Sequence, residues 1–304
     1  MPIIRDKFSL LFKKEEDKIK RKKFKNFFLI FPLELFVIGV LIFLIIFTIY
    51  ISFFNVRFGN LHEANFVGFS NYINILSSEG FWNSMKFSLK FAIVVTLLET
   101  VLGFLIAYYI FSKFKGNKII FTLLLTPIMM APSLYGLMNR ILLNNFVGFI
   151  PSYINYFFGI NIDFFNPDIV FYTLVLIDVL QWTPFVMLIA YSALLGIPKQ
   201  VFEAARIDGA NSFKILINIT IPYISSSIIA AAILRFLEAF RSFDTIYVLT
   251  GGGPGDLTST VSIYIYKVGF HLGYQGLASA AGLILFTIMI VITFNAMKLI
   301  YRRW

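Results

Sequence analysis

The sequence predicts an all-α membrane protein of six transmembrane helices, and three observations predict it. Of 304 residues, 59% are hydrophobic and only 14% charged, a balance outside that of soluble globular domains. Six windows of about twenty apolar residues are visible, each long enough for a helix to cross a hydrocarbon core of roughly 30 Å. The basic residues gather on alternate links between these windows, which marks those links as cytoplasmic.

Residues 1–26 hold ten Lys/Arg against four acids, +6 of the net +10. Their place beside the first span reads as an orientation signal rather than a nucleic-acid footprint, with binding to anionic membrane lipid as a second reading. No short apolar core with a small-residue cleavage site is found there, so the first span, about Phe27 to Phe53, is expected to be retained. The polar segment Asn55 to Lys86 is expected outside the bilayer, and a second span covers about Phe87 to Phe111. Lys113, Lys115 and Lys118 crowd the next link. The third span, about Ile119 to Leu142, contains Pro127 and Pro132 and is predicted to be kinked or broken. Leu143 to Asp168 has no Lys or Arg and belongs on the far side; a fourth span runs from about Ile169 to Leu195. The fifth covers roughly Ile224 to Leu249 and the sixth Leu277 to Ile300. The glycine run from Thr250 to Gly255 lacks the Lys-Ser/Thr of a phosphate-binding loop and reads as a tight external loop. With both termini inside, cytoplasmic segments carry 19 of the 26 Lys/Arg and external ones five, while Arg235 and Arg241 fall in the fifth span. The chain thus divides into a basic segment 1–26, a first helix with its external loop 27–86, and a five-helix core 87–301 containing a cytoplasmic loop 198–222.

That loop is the longest polar-containing interruption of the second half. Pro198 suits the start of a helix over Lys199 to Ile207, Asp208-Gly209 a turn, and a second helix begins near Asn211 and runs toward Pro222. Ala204 and Ala205 would let another protein's backbone approach, beside Phe202 and the directional charge of Glu203.

Ionisable groups within spans cost about 2.5–3.5 kcal/mol each at a helix centre and are functional candidates by default. On a continuous fifth helix Arg235, Glu238 and Ser242 share one face and Arg241 and Asp244 another, each face with an i,i+3 ion pair. These pairs either neutralise one another or line a polar path. In the fourth span Asp178, Gln181, Trp182 and Phe185 lie within about 100° of arc, with Thr183-Pro184 expected to open the backbone nearby. Aromatic faces beside an amide and a carboxylate suit a sugar, and aromatic core packing explains them equally well. Glu34 and Glu99 have no evident partner, and no role is assigned to them. Without cysteine there are no disulfides or thiolate metal sites, and with only His62 and His271 no catalytic or metal constellation is found.

Glu203-Ala204-Ala205, Gly209, Ile219 and Pro222 resemble the signature loop of the membrane subunits of ABC importers, and Ala205 to Asn211, with Arg206 and Asp208, its sugar-importer version. Asn65 to Tyr72, Asp178 to Phe185 and Phe240 to Pro254 are similar to further sugar-permease segments, so the likeness covers most of the chain after Phe66. The resemblance implies the type I importer permease fold in a prokaryotic plasma membrane. It implies as partners a second permease, an extracytoplasmic solute-binding protein and two ATPase subunits that bind ATP and Mg. No cofactor is expected in this chain, which should not itself be an enzyme. In maltose-type permeases the positions of Gln181, Trp182, Phe185, Arg235, Glu238, Ala239 and Ser242 are implied to line the sugar site; Arg235 and Glu238 depart from that pattern. An importer of another solute, such as a polyamine or phosphate ester, and an ion-coupled secondary transporter using the fifth-span charges are the alternatives.

Overall fold

The computed structural model describes residues 31–58, 64–113 and 118–301. The basic segment 1–26, Lys115, His62, Arg302 and Arg303 lie outside the described residues. Among the described residues, five helices are long and apolar enough to cross a membrane. Helix α1 (Phe31–Ser52) presents apolar side chains outward along almost its whole length. Beyond it, β1 (Phe54–Asn55) pairs antiparallel with β2 (Asn65–Phe66), and α2 (Ser70–Leu76) follows. The buried Asn71 amide ties these pieces together, donating to the carbonyls of Ser52 and Phe54 at 2.8 and 3.0 Å. Helix α3 (Glu79–Lys113) begins eight residues before the expected second span, with Glu79 in its first turn, where a carboxylate favours the helix dipole.

The third apolar window is not one helix. Helix α4 (Lys118–Leu125) stops, a 3₁₀ turn (Pro127–Met129) follows, Met130 is extended, and α5 (Pro132–Leu142) restarts on Pro132. The two prolines, each lacking an N–H, sit at the starts of the two later pieces, where that donor has no helical partner. The expected far-side loop contains a helix of its own, α6 (Phe149–Phe158). Helix α7 (Val170–Leu195) contradicts the expected opening at Thr183-Pro184: it runs unbroken with Pro184 buried inside it. It packs closely on α3. A Cβ on Gly103 would lie 2.8 Å from Val186 Cβ and 2.9 Å from the Met187 nitrogen, so the missing side chain is what lets α3 and α7 meet. Gly103→Ala is therefore expected to destabilise the protein by about 1–3 kcal/mol, whereas Gly282→Ala, with nothing within 4 Å, gains up to about 1 kcal/mol of helix propensity. Thermal unfolding of the two purified variants in detergent checks this, and shifts of the same sign would refute the close-approach argument.

Helix α8 (Lys199–Ile207) and α9 (Ser212–Ile215) come next. The second loop helix does not end near Pro222: α9 continues through a π-helical stretch (Leu216–Thr220) into α10 (Ile221–Phe240). Pro222 sits at the start of α10, and the π turn before it absorbs the hydrogen bond that proline cannot donate. Nor does the fifth span run to Leu249. It stops at Phe240, and a separate α11 (Asp244–Thr250) packs on α5. The carbonyls freed at Arg241 and Ser242 accept from Ser262 Oγ at 2.9 Å and Thr260 Oγ1 at 2.8 Å, on and just before α12 (Val261–Tyr266). Helix α13 (Gln275–Tyr301) closes the bundle.

The core lies where α3, α7 and α10 pack together. One apolar cluster gathers Phe91, Val95, Leu174, Phe240 and Val261; the other gathers Ala107, Ile110, Met187, Leu194 and Ile224. Along all three helices, the segments between the clusters carry buried polar side chains.

Candidate functional site

That polar layer is built on Arg235 of α10, 2% exposed. Its Nε lies 2.6 Å from Glu99 Oε2 and its Nη2 donates to Glu99 Oε1 at 3.0 Å, while Nη2 also pairs with Asp178. Glu99 comes from α3 and Asp178 from α7, so one guanidinium joins three helices. Its guanidinium carbon lies over the Trp182 ring, 4.7 Å from the centroid. Half-buried Thr96 and Thr100 on α3 and buried Thr183 on α7 add buried hydroxyls without a hydrogen-bond partner among the described residues.

The pairing corrects two expectations. Arg235 does not pair with Glu238, because the doubly charged pocket formed by α3 and α7 takes it instead. Arg241 does not pair with Asp244, because the helix has ended at Phe240 and the shared face no longer exists; Arg241 Nη2 reaches Glu238 Oε1 at 2.5 Å on an exposed surface. Glu99, assigned no role from sequence, makes two contacts to Arg235. The signal was its carboxylate within an apolar span, which demands a counter-charge.

A cavity of about 230 Å³ opens on this layer. Asp178, Trp182 and Arg235 form one side. Glu238, Arg241, Ser242 and Asp244 form the other, carried by the end of α10, the turn after it and the start of α11. Seven of the nine expected pathway residues thus meet at one cavity. The other two do not line it. Gln181 is buried and its Nε2 donates to Met130 O at 3.4 Å, serving the carbonyl left free at the broken third span. Phe185 packs edge-on against Trp182, centroids 6.5 Å apart. The position of the turn is fixed through α11: Thr245 Oγ1 donates to Pro132 O at 3.2 Å, and Arg140 Nη1 to Val248 O at 2.9 Å.

A second site lies around α8. The sequence stops this helix with a Schellman turn: Gly209 sits at φ +76°, its N–H donates to Arg206 O at 3.1 Å, and the Ala210 N–H donates to Ala205 O at 2.9 Å. Asn211 caps α9, its Oδ1 accepting from Lys214 N at 2.8 Å. Glu203, Ala204, Arg206, Asp208, Gly209 and Pro222 are exposed. Ala205 is not available to another protein as expected; it is buried against its own chain because its face of the amphipathic helix turns inward. Half-buried Phe202 packs at a tilt against Phe111 of α3, centroids 5.9 Å apart, beside an open groove of about 820 Å³ that Glu203 and Arg206 also line.

Residues 99–304 match the sequence profile of the family described as "Binding-protein-dependent transport system inner membrane component". The trehalose/maltose transport system permease protein MalF of Thermococcus litoralis is 33% identical over 285 residues, covering 92% of this chain and 95% of that one. The glucose import system permease protein GlcT of Saccharolobus solfataricus is 29% identical, covering 88% and 93%. Among solved structures, a chain of a bacterial ABC transporter involved in import of the acidic polysaccharide alginate superposes with a TM-score of 0.78 at 20% identity, covering 92% of this chain and 98% of that one.

Proposed function

We propose that this chain, which belongs to the family of binding-protein-dependent transport system inner membrane components, is the permease that carries a neutral-backbone sugar or short oligosaccharide through an ABC importer. The chain is a transport subunit; ATP and Mg belong to separate ATPase partners. The observation that carries the reading is the linkage of α8 to the cavity. Exposed α8 abuts α3 through Phe202 and Phe111 and runs, by one capped turn and one continuous helix, into α10. Helix α10 lines the charged cavity with Arg235 and Glu238, and α3 backs it with Glu99, paired to Arg235. A push on α8 by an ATPase therefore reaches the walls around the cargo. Phe202, Glu203, Ala204, Arg206, Asp208 and Gly209 receive that push, with Pro222 at the start of α10.

In this reading α4, the 3₁₀ turn and α5 together make the third of six crossings, and both chain ends and α8 face the cytoplasm. The bias of Lys and Arg toward those segments supports it. At about 230 Å³ the cavity falls below the roughly 300–1,000 Å³ usual for a ligand site, which supports a second, similar permease completing it. The apolar outer surface of α1 suits lipid or that second permease. Trp182 offers a flat face to the C–H side of a sugar ring, and Ser242 and the charged groups offer hydrogen bonds to its hydroxyls.

The test is to tag the chain in its native membrane, solubilise it gently and identify by mass what copurifies. An ATPase and a second six-span protein are expected. Recovery of the chain alone in several mild detergents, with uptake abolished by an ionophore and indifferent to ATP, would replace this reading with an ion-coupled carrier.

A further inference from the structure

We propose that the cavity selects its cargo by charge, admitting neutral and amino-substituted saccharides and rejecting uronates; this rests on the sugar reading above. Two guanidiniums line the cavity, and each is already matched by carboxylate. Glu99 takes the Nε–Nη2 edge of Arg235 in a bidentate pair, and Asp178 takes a further contact at Nη2. Glu238 holds Arg241 at 2.5 Å. A third lining carboxylate, Asp244, has no partner among the described residues. Counting Glu99 behind the wall, four carboxylates face two guanidiniums, a formal excess of two negative charges. Were the buried pair Glu99 and Asp178 to share one proton, an excess of one would remain.

This arrangement sets what this chain's side of the cavity can bind. An acidic sugar needs a guanidinium edge or ammonium not already neutralised, since the carboxylate loses its water on entry. Arg235 has its paired edge occupied, and the net field at the cavity repels an anion. A hydroxyl carries no such requirement: Arg235 Nη1 has no hydrogen-bond partner among the described residues and can donate to it. An ammonium on the sugar would meet Asp244 unpaired. Glu99 is then a positioning residue, which holds Arg235 and cancels its charge without lining the cavity itself. The fold shared with an importer of acidic polysaccharide does not bring that cargo with it, because the lining charges decide it.

The experiment uses the complex purified from native membrane in lipid nanodiscs, without the solute-binding protein, so that only the membrane site is read. Equilibrium binding is measured for maltose, trehalose and maltotriose, and for the same sugars with one primary alcohol oxidised to a carboxylate or replaced by an amine. At least one neutral sugar is expected to bind, its amine at least as well, and its uronate at least about tenfold more weakly. In the Glu238→Gln, Asp244→Asn double variant, whose changes lie on exposed residues, the uronate penalty should shrink several-fold. A uronate binding wild type as well as its neutral parent overturns the charge selection alone. So does a penalty unchanged in the double variant. Binding of none of the three series overturns the sugar reading and the selection with it.

Discussion

Replacing Arg235 by methionine is expected to lower the yield of folded protein more than tenfold, and replacing Arg235, Glu99 and Asp178 together by methionine, glutamine and asparagine is expected to restore most of it. Arg235 is 2% exposed and Glu99 is fully buried, with Asp178 at 4%. Removing the cation alone leaves two carboxylates in the middle of the bundle with no counter-charge. Breaking a buried pair in this way costs about 3–5 kcal/mol, whereas exchanging all its members for neutral groups of similar size is close to neutral or stabilising. The contrast matters because it separates two meanings of the cluster. If the guanidinium merely filled space, methionine would fill much of the same volume and the single variant would fold. Monodisperse yield on size exclusion after mild solubilisation is the measurement. A well-folded single variant, or a triple variant as poor as the single one, would sink the account in which charge balance holds α3, α7 and α10 together.

This cluster was also the least legible part of the sequence. Glu99 and Asp178 stand 136 and 57 residues before Arg235, and helical periodicity speaks only of neighbours three or four positions away. Given four charges in one apolar run, that periodicity pairs them with one another. The expected pairing of Arg241 with Asp244 fails because α10 ends at Phe240, although the residues onward to Leu249 remain mostly apolar. What ends the helix is remote: Thr260 and Ser262 accept the task of satisfying the freed carbonyls. By contrast, features set by local chemistry were readable. Pro198 and Gly209 bracket α8 as expected, and Pro127 and Pro132 break the third span. Seven of the expected pathway residues gather at one cavity even though the ion pairs expected among the fifth-span charges do not form. Polar groups in an apolar chain have few places to go, so they converge whatever route the backbone takes.

The turn after α8 is where a single backbone change should have the largest effect on function. Gly209→Pro is expected to abolish uptake while the protein remains inserted and folded elsewhere. Three costs coincide. Proline fixes φ near −65°, and Gly209 needs +76°. Proline has no N–H, so the bond to Arg206 O is lost. It also disfavours the α-like conformation of the residue before it, and Asp208 holds φ −71°, ψ 4°. The turn must therefore rebuild, and α8 loses its set angle to α9 and so to α10. Membrane insertion depends on the long apolar helices, which the change does not touch. A graded series isolates the cause. Asparagine tolerates the left-handed region and should keep most activity; alanine pays about 1–2 kcal/mol for it and should fall between. ATP-driven uptake, measured beside the amount of protein in the membrane, orders the three. If proline transported as well as asparagine, the turn would have no part in carrying motion from α8 to the cavity. If proline removed the protein from the membrane, its effect would lie in folding rather than in coupling.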